Sequence, residues 1–286
     1  MAQTKHEIQA LLAQIGGQPR HRFGQNFMID GNLVRLIAQS GMIHPSDLIL
    51  EIGPGTGTLT EELLAFQAEV LAVEIDRGLA AMLREKFATA NFRLIEADAL
   101  AGKHALNADL LAAIQKAKSN GKTVRLVANL PYNIASPLII EMLIAGVDDL
   151  TFTVQKEVAD RLRAAAGSED YGPLSIVAQM LASVEILRTL PPQAFWPMPK
   201  IDSALVRMQR VDRLAGQAGP FGHFVHQLFS SRRKMLRKAL LQADFDAENI
   251  LAKLNISGQI RPEELTPDDC FRIFTAALGT ATSDQK

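Results

Sequence analysis

Asn129, Leu130, Pro131 and Tyr132 stand directly after an apolar run at 124–128 and downstream of the glycine-rich Gly53-Pro54-Gly55-Thr56-Gly57. An exocyclic amino group conjugated with an aromatic ring is a poor nucleophile. A site that methylates one must therefore supply acceptors for its two hydrogens and a flat wall for the ring. Asn129 offers a side-chain amide oxygen, Leu130 a main-chain carbonyl and Tyr132 the wall. Pro131 lacks an N–H and has a fixed φ, so it can hold the Leu130 carbonyl turned out of a sheet at the end of a strand. With the glycine turn, the tetrapeptide points to methyl transfer onto an amino group of a base. Taken alone, it is explained equally well as an ordinary strand-to-loop turn, because Asn and Pro are common turn residues.

The second constellation would hold a nucleotide. Residues 48–52 form an apolar run that leads into the glycine turn and then into a helix beginning near Thr58. Glycines at such a turn let a ligand approach the backbone, although a close strand-to-helix crossover also uses them. Glu74 ends the next apolar run and can accept hydrogen bonds from both hydroxyls of a ribose. Asp98 follows the third run and can accept from the amino group of an adenine; an isolated acid there also serves as a helix cap. Three acceptor positions at three successive strand ends favour a ligand. No Lys or Arg lies between Gly53 and Glu74, so a pyrophosphate would lack a charge partner, which favours S-adenosylmethionine over NAD.

The elements that must position these residues are legible as periodicity. β-prone runs at 48–52, 70–74, 92–95, 124–128, 150–154, 184–187 and 204–208 alternate with helical patterns such as 58–66 and 78–87. Such alternation predicts a parallel, doubly wound α/β sheet. After Arg210 the strand signal stops. Gly216, Gly219, Pro220 and Gly222 read as a linker, and the remainder as short helices. The expected division is an α/β domain over 1–212 and a small helical domain over 213–286.

Composition excludes several classes. Hydrophobic residues at 48% and charged residues at 21% suit a soluble globular protein, and no apolar run approaches a membrane span. Residues 1–15 carry no long apolar block or cleavage site, so a cytoplasmic location is expected. Cys270 is the sole cysteine and the six histidines are scattered, so neither an intramolecular disulfide nor a metal site is expected. Net charge is −1, yet Lys and Arg outnumber Asp and Glu by 13 to 7 over 151–238, against 13 to 16 before and 4 to 8 after. Within that stretch Arg232, Arg233, Lys234, Arg237 and Lys238 alternate with Leu228, Phe229, Met235, Leu236, Ala239 and Leu240. That spacing describes one helix with an apolar face and a basic one, suited to phosphates or simply solvated.

Seven segments, taken in order, resemble the ribosomal RNA adenine dimethyltransferases, specifically the bacterial small-subunit enzymes that dimethylate two adjacent adenines near the 3′ end of 16S rRNA. They are Arg22-Phe23-Gly24-Gln25-Asn26-Phe27, Glu51 to Gly57, Glu74-Ile75-Asp76, Asp98-Ala99, Asn129 to Ile134, Phe195 to Ser203, and Phe229 to Lys234. The resemblance covers nearly the whole chain. It implies a Rossmann-like class I methyltransferase sheet with a small C-terminal all-helical domain, S-adenosylmethionine as cofactor, and 16S rRNA in the immature small ribosomal subunit as partner. It places cofactor contacts on Asn26, Met28, Gly53, Glu74, Asp98 and Asn129. Met28 stands where the family commonly has Leu, and the contact expected there is through the main chain.

The same resemblance implies that Asn129 and Leu130 hold adenine N6, that Tyr132 and Phe195 stack on the extruded base, and that Arg22, Lys200, Arg232, Arg233 and Lys234 meet RNA. Proline-flanked Phe195 is read equally well from its neighbours as a core aromatic. Residues 102–122 look longer than in some relatives. A large-subunit rRNA dimethyltransferase, a non-catalytic assembly factor and an NAD-dependent dehydrogenase remain as alternatives, and oligomeric state is open.

Overall fold

The computed structural model describes residues 3–20, 23–102 and 105–281. In chain order the elements are α1 (Lys5–Gln14), β1 (Phe27–Met28), α2 (Gly31–Ser40), β2 (Leu48–Ile52), α3 (Thr58–Leu64), β3 (Glu69–Glu74), α4 (Arg77–Lys86), β4 (Phe92–Glu96), β5 (Leu100–Gly102), β6 (Ala105–Leu106), α5 (Ala108–Ser119), β7 (Val124–Asn129), α6 (Ala135–Ile144), β8 (Asp149–Gln155) and α7 (Lys156–Arg163). They continue with α8 (Pro173–Leu181), β9 (Ala182–Leu190), β10 (Phe195–Trp196), β11 (Ser203–Arg210), α9 (Ala218–Phe229), α10 (Leu236–Gln242), α11 (Ala247–Leu254) and α12 (Pro267–Ala281).

Seven strands form one sheet in the order β4-β3-β2-β7-β8-β11-β9. β2, β3, β4, β7 and β8 run parallel, and β11 lies antiparallel to β8. Every residue of β2 is buried, as expected where helices cover both faces of a parallel sheet. The strand order reverses between β3-β2 and β2-β7, and such a switch point opens a crevice beyond the carboxyl ends of the strands. Side-chain caps fix where the helices start: Asp30 on α2, Asp76 on α4 and Asn107 on α5 each accept from two backbone N–H groups.

Two compact units divide the chain, one of Met1–Ala159 with Glu185–Arg210, the other of Asp160–Val184 with Val211–Lys286. Residues 160–184, expected in the first domain, thus cluster with the helical unit. The contacts are specific: Gln179 Nε2 donates to the carbonyls of Leu162 and Ala164, and the Tyr171 hydroxyl donates to the Leu265 carbonyl at 2.7 Å. A core of Phe221, Phe224, Phe271 and Phe274, with ring centroids 5.5–6.1 Å apart in four pairs, holds α9 to α12.

Two further expectations need correction. Gly219, Pro220 and Gly222 lie inside α9 rather than in a linker. Pro220 falls in the first turn, where a missing N–H breaks no helical bond. Residues 228–240 are not one helix either. α9 stops at Phe229, and Arg232, Arg233 and Lys234 occupy a run of turns before α10.

Candidate active site

Beyond the carboxyl ends of β2, β3 and β7 a cavity of about 240 Å³ is lined by the glycine turn, Glu51, Glu74, Asp98, Asn26, Met28 and Asn129. The turn is built for close approach. Gly53 and Gly55 have φ of +72° and +61°, a region that favours glycine. A Cβ on Gly53 would sit 3.1 Å from Cγ of Pro131, and one on Gly55 would sit 2.9 Å from the Phe27 ring. Pro131 therefore packs directly on the glycine turn, joining the two sequence constellations at one place. Six of the expected contacts, Asn26, Met28, Gly53, Glu74, Asp98 and Asn129, line this cavity together.

Two buried carboxylates face the cavity. Glu74 Oε2 accepts from the Gly55 N–H at 3.2 Å and Oε1 from the Asp76 N–H at 2.9 Å, so the acid at the end of β3 shapes the glycine turn. Burial pushes its carboxyl up to about 7 despite those donors. Glu51, at the end of β2, accepts from the Thr60 hydroxyl at 2.7 Å, and burial pushes it up to about 8. Sequence reasoning missed Glu51 as a cavity residue; the available signal was an acid inside the otherwise apolar Leu48-Ile49-Leu50-Glu51-Ile52. Asp98 is exposed, and its Oδ1 accepts from the Leu100 N–H at 3.0 Å.

The tetrapeptide is held from several sides. Nδ2 of Asn129 donates to the Asn26 carbonyl at 2.7 Å, and its Oδ1 accepts from the Thr153 hydroxyl at 2.5 Å. Leu130 is buried. The Tyr132 hydroxyl shares a 2.7 Å hydrogen bond with Ser203 Oγ, and burial raises its pKa. Thr153 and Ser203 were not foreseen, because a hydroxyl in a strand carries no signal in the local pattern. Arg20 reaches Asp76 at 3.2 Å and lies over the ring of Phe23, which lines the cavity.

Phe195 departs from its expected role. The ring is 2% exposed and belongs to the hydrophobic cluster of Met28, Leu33, Val34, Ile37 and Leu205. Pairing of β10 with β1, Met28 opposite Phe195, turns it inward, so it packs the wall instead of presenting a face to a base. Lys200 is exposed on the loop before β11. Arg22 lies outside the described residues. Arg232, Arg233 and Lys234 are exposed, and Arg232 pairs with Glu263 at 3.0 Å. Among the described residues Arg233 and Lys234 have no carboxylate partner.

Residues 16–277 match the family model described as ribosomal RNA adenine dimethylase. The chain belongs to this family. It is thus an rRNA adenine dimethylase family enzyme with a methyltransferase-type α/β sheet. It is 40% identical over 264 residues to "Ribosomal RNA small subunit methyltransferase A" of Marinobacter nauticus, covering 90% of this chain and 91% of the relative. To the protein of the same name from Deinococcus radiodurans it is 39% identical over 277 residues, covering 95% and 90%. Among solved structures it resembles the 23S rRNA methyltransferase ErmE, with a TM-score of 0.62, 25% identity and coverage of 88% and 99%. A dimethyladenosine transferase from Plasmodium falciparum shares the fold, with a TM-score of 0.71, 23% identity and coverage of 86% and 95%.

Proposed function

We propose that this protein uses S-adenosylmethionine to dimethylate N6 of two adjacent adenines near the 3′ end of 16S rRNA, acting on the immature small subunit in the cytoplasm. Asn129 carries the proposal: it stands on the same cavity wall as Gly53 and Glu74, with its carboxamide fixed in one orientation. Bound S-adenosylmethionine supplies an electrophilic methyl group. The work left to the chain is orientation and electrostatics. Asn129 Oδ1 and the Leu130 carbonyl accept the N6 hydrogens and direct the nitrogen lone pair, and Tyr132 forms a wall for the base. A methylated aminopurine loses its N6 proton readily, so no Cys or His base is needed. Glu74 accepts from the ribose hydroxyls and Asp98 from the cofactor's adenine.

Among the described residues no Lys or Arg lines the cavity, which favours this cofactor over a dinucleotide. Small-subunit RNA as substrate is supported by about 40% identity to proteins named for that subunit, against 25% to the 23S enzyme. Incubating the protein with labelled S-adenosylmethionine and unmethylated ribosomal particles tests the choice. Label should enter small subunits and not large ones; the reverse would assign the protein to 23S rRNA.

Cofactor binding should depend on pH. With its carboxyl near 7, Glu74 is mostly protonated at pH 6, whereas ribose hydroxyls donate best to the ionised form. Affinity should therefore rise with pH through 7 and level off above it, about tenfold between pH 6 and pH 8. Calorimetry with 5′-methylthioadenosine, which lacks the titrating amino acid, removes the cofactor's own titration from the profile. A flat profile would remove ionised Glu74 from ribose binding.

Replacing Arg232, Arg233 and Lys234 together with Gln should weaken binding to immature small subunits regardless of base sequence. Each lost phosphate contact should flatten the plot of log affinity against log salt by about 0.9. Because Glu263 already pairs with Arg232, most of the change should come from Arg233 and Lys234. Native affinity and native salt slope in the triple variant would reduce the cluster to a solvated surface.

A further inference from the structure

We propose that Thr153 is a positioning residue for methyl transfer, because its hydroxyl holds the Asn129 carboxamide with the oxygen available to the amino group being methylated. The inference rests on the function proposed above and adds to it a residue that lies behind Asn129 and does not itself line the cavity. Thr153 lies in the carboxyl-terminal half of β8, opposite Asn129 of β7 in the parallel register, and is fully buried. Its hydroxyl lies 2.5 Å from Asn129 Oδ1, while Asn129 Nδ2 lies 2.7 Å from the Asn26 carbonyl.

The Asn26 contact determines which way round the amide sits. A carbonyl can only accept, so the atom facing Asn26 must be the nitrogen, and the hydroxyl of Thr153 must then donate to the oxygen. Turning the amide over would set oxygen against oxygen at Asn26, so the Thr153 hydroxyl, which could otherwise accept from an N–H, donates to Oδ1. An amide oxygen has two lone pairs. Thr153 engages one and leaves the other as the acceptor for an N6 hydrogen.

The demand on this geometry grows during the reaction. Unmethylated N6 presents two hydrogens, one for Asn129 and one for the Leu130 carbonyl. After the first transfer one hydrogen remains, and a single acceptor must orient the nitrogen for the second. A loosened Asn129 should therefore slow the second methylation more than the first.

The test compares Thr153→Val, which keeps the shape and removes the hydroxyl, with Thr153→Ser, which keeps the hydroxyl. Single-turnover methylation of unmethylated small subunits is followed at saturating cofactor, with mono- and dimethyladenosine quantified separately. Thr153→Val should slow transfer about tenfold and accumulate monomethyladenosine at saturating cofactor. Thr153→Ser should restore both the rate and the dimethylated product. Wild-type rates and product ratio in Thr153→Val would overturn the proposal, as would a Thr153→Ser variant equally slow.

The Asn129 side-chain amide signals in nitrogen-15 NMR give a readout independent of activity. They should be protected from exchange in the wild type and Thr153→Ser, and lose that protection in Thr153→Val; unchanged protection would also overturn the proposal. If the wild type methylates no adenine while the amide behaves as expected, the proposed function fails and the clamp stands.

Discussion

Asn129→Ala is expected to slow methyl transfer by about 10²–10³-fold, the loss typical of removing one preorganised polar group from a reacting centre. The lost atom is Oδ1, which acts on the amino nucleophile and not on phosphates, so binding of the RNA should hardly change. The substitution also strips partners from the Asn26 carbonyl and from the buried Thr153 hydroxyl. Each unsatisfied group costs about 1–3 kcal/mol, so thermal stability should fall while the fold persists. Single-turnover methylation at saturating cofactor and RNA separates chemistry from binding. A wild-type rate would take Asn129 out of the mechanism.

Glu74→Ala should weaken S-adenosylmethionine binding at least tenfold. Two hydrogen bonds from the ribose to an ionised carboxylate contribute about 1.5–3 kcal/mol each. The glycine turn also loses the oxygen that receives the Gly55 N–H. Thermal stability should also fall, because the Gly55 and Asp76 N–H groups lose their acceptor, a loss partly offset by removal of an acid that burial holds partly protonated near neutrality. Glu74→Gln, which keeps one acceptor oxygen, should fall between wild type and Ala. Calorimetry on the folded variants decides the matter, and unchanged affinity in Glu74→Ala would contradict the ribose assignment.

The sheet was legible because its central strands are largely apolar, with Glu51 and Arg125 as the charged exceptions. Leu48 to Ile52 and Val124 to Ala128 read as strands, and the glycines after the first marked where the chain turns. The cavity followed from the same logic, since acceptors at the ends of parallel strands converge at a switch point. What stayed hidden depends on tertiary partners. Thr153 sits in the apolar Phe152-Thr153-Val154, where only the packing of β7 on β8 reveals that its hydroxyl meets Asn129.

Phe195 shows the opposite failure. An aromatic in a proline-rich stretch has no periodicity to say which way it points, and two backbone pairings with β1 send it into the core. The helical unit was read only in part. Glycines and a proline at 216–222 suggested a linker, whereas the Phe221 and Phe224 side chains bury enough surface to hold that segment in a helix. Residues 160–184 belong with that unit through long-range contacts such as Tyr171 to Leu265, which no local pattern announces.

The most direct measurement is mass-spectrometric mapping of 16S rRNA from immature small subunits that lack adenine methylation, after incubation with this protein and S-adenosylmethionine. The expected result is N6,N6-dimethyladenosine at two adjacent positions near the 3′ end, strongly reduced over the same incubation when Asn129→Ala replaces the wild type. Unmodified adenines after incubation with folded, cofactor-bound wild-type protein, or methyl groups at other positions only, would contradict it.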